Sequence, residues 1–488
     1  MKNHLKVFFW FFVAMSTWNA LTTWWIWNST SVGSIVALGL NSLFMATVWQ
    51  LFYATKKSQG ATIGYAALPM YWIGFEYLHL NWQISWPWLT LGNAFSVRTE
   101  WIQWYEYTGV LGGSLWVLAV NILLFQVTKN LLSRSLLVKV RRANTVLLSF
   151  SSLLVIGVPI DISYHLYDHR IDRGESVNVA IVQPNVDPYN EKFNTSDETQ
   201  LIHFLQLSST VVDSTTDFVI GPETCIPGGL WEEEITTHPY ITKSRQFLSA
   251  YPKLHLITGL TTFHRFGKSE RRSLTARKFK DGEDYYDVYN SAMYLDGIGD
   301  LQIYHKSRLV PGVEKMPYPK VFGFLEDLAI DLGGTSGSLG IQDQRTNFIT
   351  RSGLSVAPAI CYESIYGEFM SGYIKNGAKF IAVITNDGWW GNTPGYRQHM
   401  NYARLLAIEF RKSIARSANT GVSCFINQRG DVSQQTKWWE EDAIKGTIMC
   451  NDKITFYARF GDYIGFVAAF LSISFIVFVM LKRVLRIG

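Results

Sequence analysis

The chain has 488 residues, of which 48% are hydrophobic, 15% aromatic and only 17% charged, with a net charge of +5. A soluble globular chain carries about 25% charged residues, so part of this one is expected to lie in lipid. The small positive balance comes without a basic cluster interleaved with aromatics, which argues against nucleic-acid binding, and four cysteines with no CxxC spacing argue against a zinc ribbon or a disulfide scaffold.

Apolar stretches near the ~20 residues a spanning helix needs occur at about 7–27, 33–54, 61–79, 109–128, 144–161 and 463–481. The first follows Lys2 and Lys6 as a signal peptide would, but it is too long, and Trp24, Trp25 and Trp27 at its end read as an interface belt. Basic residues fall in alternate connections: Lys2 and Lys6, then Lys56 and Lys57, then Lys129, Arg134, Lys139, Arg141 and Arg142, then Lys482, Arg483 and Arg486. If these are cytoplasmic, residues 162–462 lie on the opposite side. The connection 80–108 holds Trp82, Trp86, Trp88, Trp101, Trp104, Tyr105 and Tyr107. It reads as an interfacial anchor or as a lipid-facing entrance. Glu76, near the outer end of the third span, is a carboxylate with either a functional or a water-seeking role.

From about 175 to 455 the pattern is that of an α/β domain. Strands are expected at 177–182, 217–220, 254–260, 291–295, 354–360, 379–385 and 422–427, and helices at 199–212 and 394–416. Thr393 and Pro394 supply the cap and first turn of the second helix, and Ala403, Leu406, Ala407, Phe410 and Ile414 its apolar stripe. The polar stretch 263–288 reads as an excursion from the core.

Three apolar segments end in reactive side chains: 217–220 leads to Glu223, 301–305 to Lys306 and 354–360 to Cys361. Strand ends are where α/β folds gather active-site groups. A carboxylate can take a thiol proton as the sulfur attacks, and an ammonium can hold the resulting oxyanion. Each residue also has a structural alternative: Glu223 as a helix cap, Lys306 as a surface charge, Cys361 as a buried strand end.

Around these residues the sequence resembles the nitrilase superfamily, and within it the apolipoprotein N-acyltransferases. The resemblance runs through VAIVQPNV at 179–186, GPET at 221–224, YHKSRLVPGVEKMP at 304–317, ICYES at 360–364, TNDGWWGN at 385–392 and ARSANTG at 415–421. It implies a polytopic α-helical membrane domain plus an α/β nitrilase-like α-β-β-α sandwich. The division expected is 1–168 for membrane helices with a periplasmic-side aromatic loop, 169–458 for the extracytoplasmic catalytic domain, and 459–488 for a last helix and cytoplasmic tail.

The resemblance makes Cys361 the nucleophile, Glu223 the general base and Lys306 the oxyanion stabiliser. Glu314, Tyr362 and Glu363 match supporting residues, and Asn386, Asp387, Trp389 and Trp390 match the pocket wall. Phe193 stands where the family often has Trp, and LVPGVEKMP departs from the commoner Phe-Gly form before the glutamate. The family has about two more spans at its N-terminus. The implied reaction is ping-pong. A phospholipid gives its sn-1 acyl chain to the cysteine, and the α-amine of a diacylglyceryl-cysteine on an apolipoprotein takes it. No metal or organic cofactor is required, and a monomer in the bacterial inner membrane is expected. Two other classes compete: a membrane-tethered amidase or nitrilase acting on a small substrate, and a non-catalytic lipid-binding scaffold.

Overall fold

Helices occupy all six apolar stretches: α1 (Lys2–Thr23), α2 (Ser31–Gln59), α3 (Ala61–Asn81), α4 (Tyr105–Leu132), α5 (Val138–His169) and a C-terminal helix, Tyr463–Val484. Among the described residues, four are long and apolar enough to cross a membrane: Ser31–Gln59, Tyr105–Leu132, Arg141–His169 and Tyr463–Leu481. The computed structural model describes residues 2–132, 138–169, 172–192, 194–319 and 338–484. They form two units, one of residues 1–24, 34–171 and 455–488, the other of residues 25–33 and 172–454.

In the helical unit the aromatic connection folds back as short 3-10 turns, with Trp88 and Ile102 buried. Glu76 is not turned to water. Its Oε1 accepts from the Leu91 N–H at 2.8 Å and from Trp72 Nε1 at 2.9 Å, tying the connection to α3. Helix α4 breaks at Gly109 (φ +60, ψ −172), where a Cβ would meet the Tyr457 ring at 2.3 Å. Only glycine gives both that backbone and that approach.

The first apolar stretch does not stay helical to residue 27. It ends at Thr23, and a 3-10 turn, Trp24–Asn28, follows. Trp25 belongs to the second unit and is no interface residue. It is 1% exposed, donates from Nε1 to Gln398 at 3.2 Å and meets the Trp390 ring edge-on at 5.0 Å. Trp24 and Trp27 remain exposed.

The second unit is built on two sheets. The first holds β1 (Glu175–Gln183), β2 (Phe218–Ile220), β3 (Ile226–Trp231), β4 (His255–Arg265), β5 (Arg277–Lys278), β6 (Tyr285–Asp296), β7 (Leu301–His305) and the last strand, β14 (Asp442–Cys450). The second has the order β13-β12-β11-β10-β9-β8, with β8 (Phe348–Ile349), β9 (Ser355–Ile360), β10 (Phe380–Thr385), β11 (Ile414–Ala418), β12 (Cys424–Ile426) and β13 (Val432–Ser433). Its central strands β9, β10 and β11 pair in parallel and are buried along their whole length, as continuous apolar runs between two layers should be.

Helices α6 (Asp197–Ser209) and α7 (Pro239–Ser249) cover the first sheet. Leu201, Phe204, Ile241 and Leu248 pack with Val182, Val219, Leu256 and Met293. Helices α8 (Gly367–Lys375) and α9 (Pro394–Phe410) lie on the second sheet. The sheets meet face to face: Phe218 and Phe380 rings are 5.4 Å apart, and Ser417 Oγ donates to the Val182 carbonyl at 2.8 Å. This is the α-β-β-α sandwich.

Two sequence expectations are corrected. The helix predicted to 416 stops at Phe410, where Arg411 takes a left-handed backbone (φ +51), and Ile414 begins a strand in parallel register with Ile381. Its side chain continues the helical stripe in sequence, but strand pairing decides its backbone. The polar stretch 263–288 is an excursion only in its middle. Its ends belong to β4 and β6, and buried Asp287 accepts from Thr275 Oγ1 at 2.8 Å, pinning the crossing.

Candidate active site

The ends of β2, β7 and β9 carry the three predicted groups. After β2 the chain turns through Glu223 into Thr224, which has φ +46, and passes directly over β4. A Cβ on Gly259 would lie 2.5 Å from the Thr224 nitrogen and 2.6 Å from the Glu223 Cα, so glycine at that point lets the glutamate sit so deep. After β7 the Lys306 N–H still bonds the Asn290 carbonyl at 2.8 Å, which fixes the lysine to the sheet edge. After β9 the chain breaks into a 3-10 turn at Cys361, whose φ is +50. A non-glycine residue held there is strained, a state that persists where the surroundings over-determine it and that clusters at functional sites. The surroundings here are explicit: the Cys361 carbonyl accepts from Ser364 Oγ at 2.7 Å and lies 3.2 Å from His399 Nε2.

Lys306 is 1% exposed and sits between two carboxylates, 2.9 Å from Glu223 Oε1 and 2.8 Å from Glu314 Oε1. Asn290, in β6, donates from one amide nitrogen to the same two oxygens, at 2.8 Å and 3.0 Å. Glu314 is held in turn by the Val310 N–H at 2.8 Å. Burial opposes the charge of Glu223, yet the Lys306 ammonium and the Asn290 amide outweigh it and keep the carboxyl below the ordinary range. Burial also opposes the Lys306 charge, and Glu223 with Glu314 holds it above the usual lysine range. For Cys361 burial and then the Glu223 carboxylate push the thiol well up, against a smaller pull from Lys306 and Thr385. The resting pair is therefore a thiol and a carboxylate, an arrangement in which a carboxylate can take a thiol proton.

Glu363 is a clamp. Its Oε1 accepts from Tyr304 Oη at 2.6 Å and from the Ser307 N–H at 2.7 Å, and its Oε2 from the Ile360 N–H at 2.9 Å. One carboxylate thus ties the residue before the cysteine to the residue after the lysine. Burial lifts its carboxyl to about 7 in spite of these donors. Glu363→Gln keeps the shape but offers one acceptor oxygen in place of two, leaving at least one buried donor unpaired. We expect it to lower stability by about 1–3 kcal/mol. It should also slow Cys361 acylation as the two strand ends lose their common anchor. Thermal unfolding and single-turnover acylation check this, and wild-type values in both would refute the clamp.

Tyr362 is buried edge-on against Tyr366. Asn386 caps the turn after β10, accepting from the Gly388 N–H at 3.2 Å. Asp387 is not free to face a substrate. It pairs with Arg416 at 2.7 Å and His399 at 2.9 Å, all three buried. It reaches the Cys361 carbonyl only by way of His399. Trp389 meets Tyr189 edge-on at 5.4 Å, and Trp390 lies between Trp25 and His399. Phe193 lies outside the described residues. Sequence reasoning missed Asn290, His399, Arg416 and Lys192. Lys192 is buried and donates to the Glu223 carbonyl at 3.3 Å.

Residues 178–453 match the carbon-nitrogen hydrolase family, and residues 1–123 match the apolipoprotein N-acyltransferase N-terminal domain. Among curated proteins, the apolipoprotein N-acyltransferase of Chlorobaculum tepidum is 32% identical over 91% of this chain and 82% of its own. That of Geobacter metallireducens is 27% identical over 95% and 82%. Among solved structures, Saccharomyces cerevisiae Nit3, a nitrilase-superfamily member, covers 57% of this chain and 92% of its own, with a TM-score of 0.40 and 13% identity.

Proposed function

Because this chain belongs to the apolipoprotein N-acyltransferase family, we propose that it moves the sn-1 acyl chain of a phospholipid, through a thioester on Cys361, to the α-amine of a diacylglyceryl-cysteine at an apolipoprotein N-terminus. The observation that carries the site assignment is the buried Glu223–Lys306 pair at 2.9 Å, whose two charges both act on Cys361. In the first half-reaction the Cys361 thiol gives its proton to the Glu223 carboxylate as sulfur bonds the ester carbonyl carbon. The carbonyl oxygen becomes an oxyanion that the Lys306 ammonium stabilises. Collapse breaks the ester C–O bond, and the glycerol oxygen leaves with the proton from Glu223. In the second half the acceptor amine attacks the thioester carbon and loses a proton to Glu223; the C–S bond breaks, and the sulfur takes that proton from Glu223 to restore the thiol. The protein does this by position and electrostatics, with Glu314 and Asn290 holding the pair.

The chain is a membrane enzyme, and we place its catalytic unit outside the cytoplasm, acting as a monomer. The support for that face is that the basic residues fall in alternate connections, Lys56 and Lys57 in one and Lys129, Arg141 and Arg142 in the next but one, which puts both on the cytoplasmic side and residues 162–462 on the other. Both substrates are then lipids presented at one membrane surface. A chase separates transfer from hydrolysis. Enzyme carrying the Cys361 acyl group should lose it to a diacylated lipopeptide at least about tenfold faster than to buffer alone, a difference of roughly 1.4 kcal/mol in barrier. Equal loss with and without the peptide would overturn acyl transfer in favour of hydrolysis.

A further inference from the structure

Lys192 lies in the segment after β1, with its N–H on the Asp187 carbonyl at 2.9 Å and its own carbonyl accepting from Gln200 Nε2 at 2.8 Å. The backbone is thus fixed from both sides. The side chain is 2% exposed, and among the described residues its ammonium makes a single long hydrogen bond, 3.3 Å to the Glu223 carbonyl, with no carboxylate in ion-pair range. Three donors on a buried cation with one weak acceptor is an unusual arrangement, because a buried charge is ordinarily paired. Lys306 is the contrast: it is equally buried and already holds two carboxylates.

The charged groups facing Lys192 are those of the reaction centre. Burial works against its ammonium and brings it down to about 8, while Glu223, Cys225 and Cys361 favour it. Around Cys361 itself stand Glu223, Lys306 and Asp387, and Asp387 is already neutralised by Arg416. Glu223 and Glu314 bring two negative charges and Glu363, lifted to about 7, part of a third; Lys306 returns one positive charge, and Lys192 supplies the second. Without it the site would carry a net negative charge at the point where a thiolate and then an oxyanion must form.

We propose that the Lys192 ammonium is a second cation of the reaction centre, left unpaired so that it can stabilise the negative charge arising at Cys361. It takes no proton in the reaction: the thiol proton goes to Glu223, and Lys192 lowers the energy of the thiolate and of the tetrahedral oxyanion by through-space attraction. This rests on Cys361 as nucleophile but not on the identity of the acyl donor or acceptor.

The test is alkylation of Cys361 by iodoacetamide in the full-length protein, followed by peptide mass spectrometry from about pH 6 to about pH 10, since the thiolate is the reacting form. K192M keeps the stem and removes the charge. We expect its rate to fall about tenfold at neutral pH and the two profiles to converge above about pH 8, where Lys192 loses its charge, while K192R stays within about threefold of wild type at neutral pH. A K192M profile that overlays wild type would overturn the proposal. So would equal slowing in K192M and K192R, which marks lost shape rather than lost charge. If K192M does not fold, K192Q replaces it. If neither neutral variant folds while K192R folds with a slowed profile, Lys192 is a structural residue and the proposal is overturned; K192R at the wild-type rate would support it. Failure here leaves the acyl-transfer reading standing, because that reading falls only if wild-type Cys361 takes no acyl group from phospholipid.

Discussion

Cys361→Ala, incubated with phospholipid, should acquire no hydroxylamine-sensitive acyl adduct, whereas wild type gains one acyl chain on the peptide containing residue 361. Removal of a covalent nucleophile takes away the whole low-barrier path, so the expected loss of acyl transfer is on the order of a thousandfold or more. The fold should survive. Alanine has the same Cβ as cysteine, so the strain of φ +50 is unchanged. Only the sulfur is lost, from a site that is partly open. Cys361→Ser makes the test sharper. Its hydroxyl is harder to deprotonate, and any acyl group it captures is an oxyester that resists neutral hydroxylamine. The other cysteines give a built-in control. Cys225, Cys424 and Cys450 are buried and free, and burial raises Cys225 and Cys424 to about 11 and Cys450 to about 12. Cys361 is raised further still, so what sets these three apart is access: they are buried, whereas Cys361 is partly open. An adduct that persists in the alanine variant would move the nucleophile elsewhere and sink the assignment.

The strand-end logic that singled out Glu223, Lys306 and Cys361 was readable because each follows a short apolar run, and period-two or continuous apolar patterns are the strongest local signal. Seven predicted strands correspond to β1, β2, β4, β6, β9, β10 and β12, with ends shifted by a few residues in most and by more in β4 and β6. What sequence could not carry was whatever depends on partners far along the chain. Asn290 reads as one polar residue in a strand. Its role appears only when β6 brings it against Glu223 and Glu314, 67 and 24 residues away. Lys192 sits in a polar segment where a lysine reads as solvated, and the sandwich buries it. Trp25 stands in an uncharged stretch in which Thr22 and Thr23 are helix-compatible, and no Pro or Gly marks that the chain leaves its helix at Thr23. Ile414 fitted a helical stripe because the helix and the strand that follows it are both apolar, and only pairing with Ile381 separates them. The left-handed backbone at Cys361 was equally invisible, since cysteine carries no preference for it.

Lys306→Met is expected to cost both stability and activity, and the two losses should be separable. In wild type the ammonium stands between Glu223 and Glu314, with Asn290 bonded to both. Removing one partner of a buried ion pair leaves uncompensated charge, at about 3–5 kcal/mol. Two carboxylates sharing one amide cannot both stay ionised, so one of them takes up a proton at neutral pH. If it is Glu223, the base is lost, and if it is Glu314, the oxyanion still lacks the ammonium that stands against Glu223. Either way acyl transfer fails.

The pH dependence gives the sign. In wild type the Glu223 carboxyl is depressed, so its contribution to stability is present above the unfolded value and fades as pH falls through the folded value. In the variant one carboxyl is raised instead, so its stabilising form is the protonated one, present in acid and lost as pH rises. The gap in melting temperature between variant and wild type should therefore narrow from about pH 8 to about pH 5. Lys306→Met with Glu314→Gln removes the repulsion while keeping an amide for Asn290 to meet, so much of the stability should return at neutral pH. Acylation of Cys361 should not return with it, because Lys192, which bonds only the Glu223 carbonyl, does not take the place of the ammonium that Glu223 held against the oxyanion. A double variant that recovers acylation along with stability would show that Lys306 serves only to hold the two glutamates together.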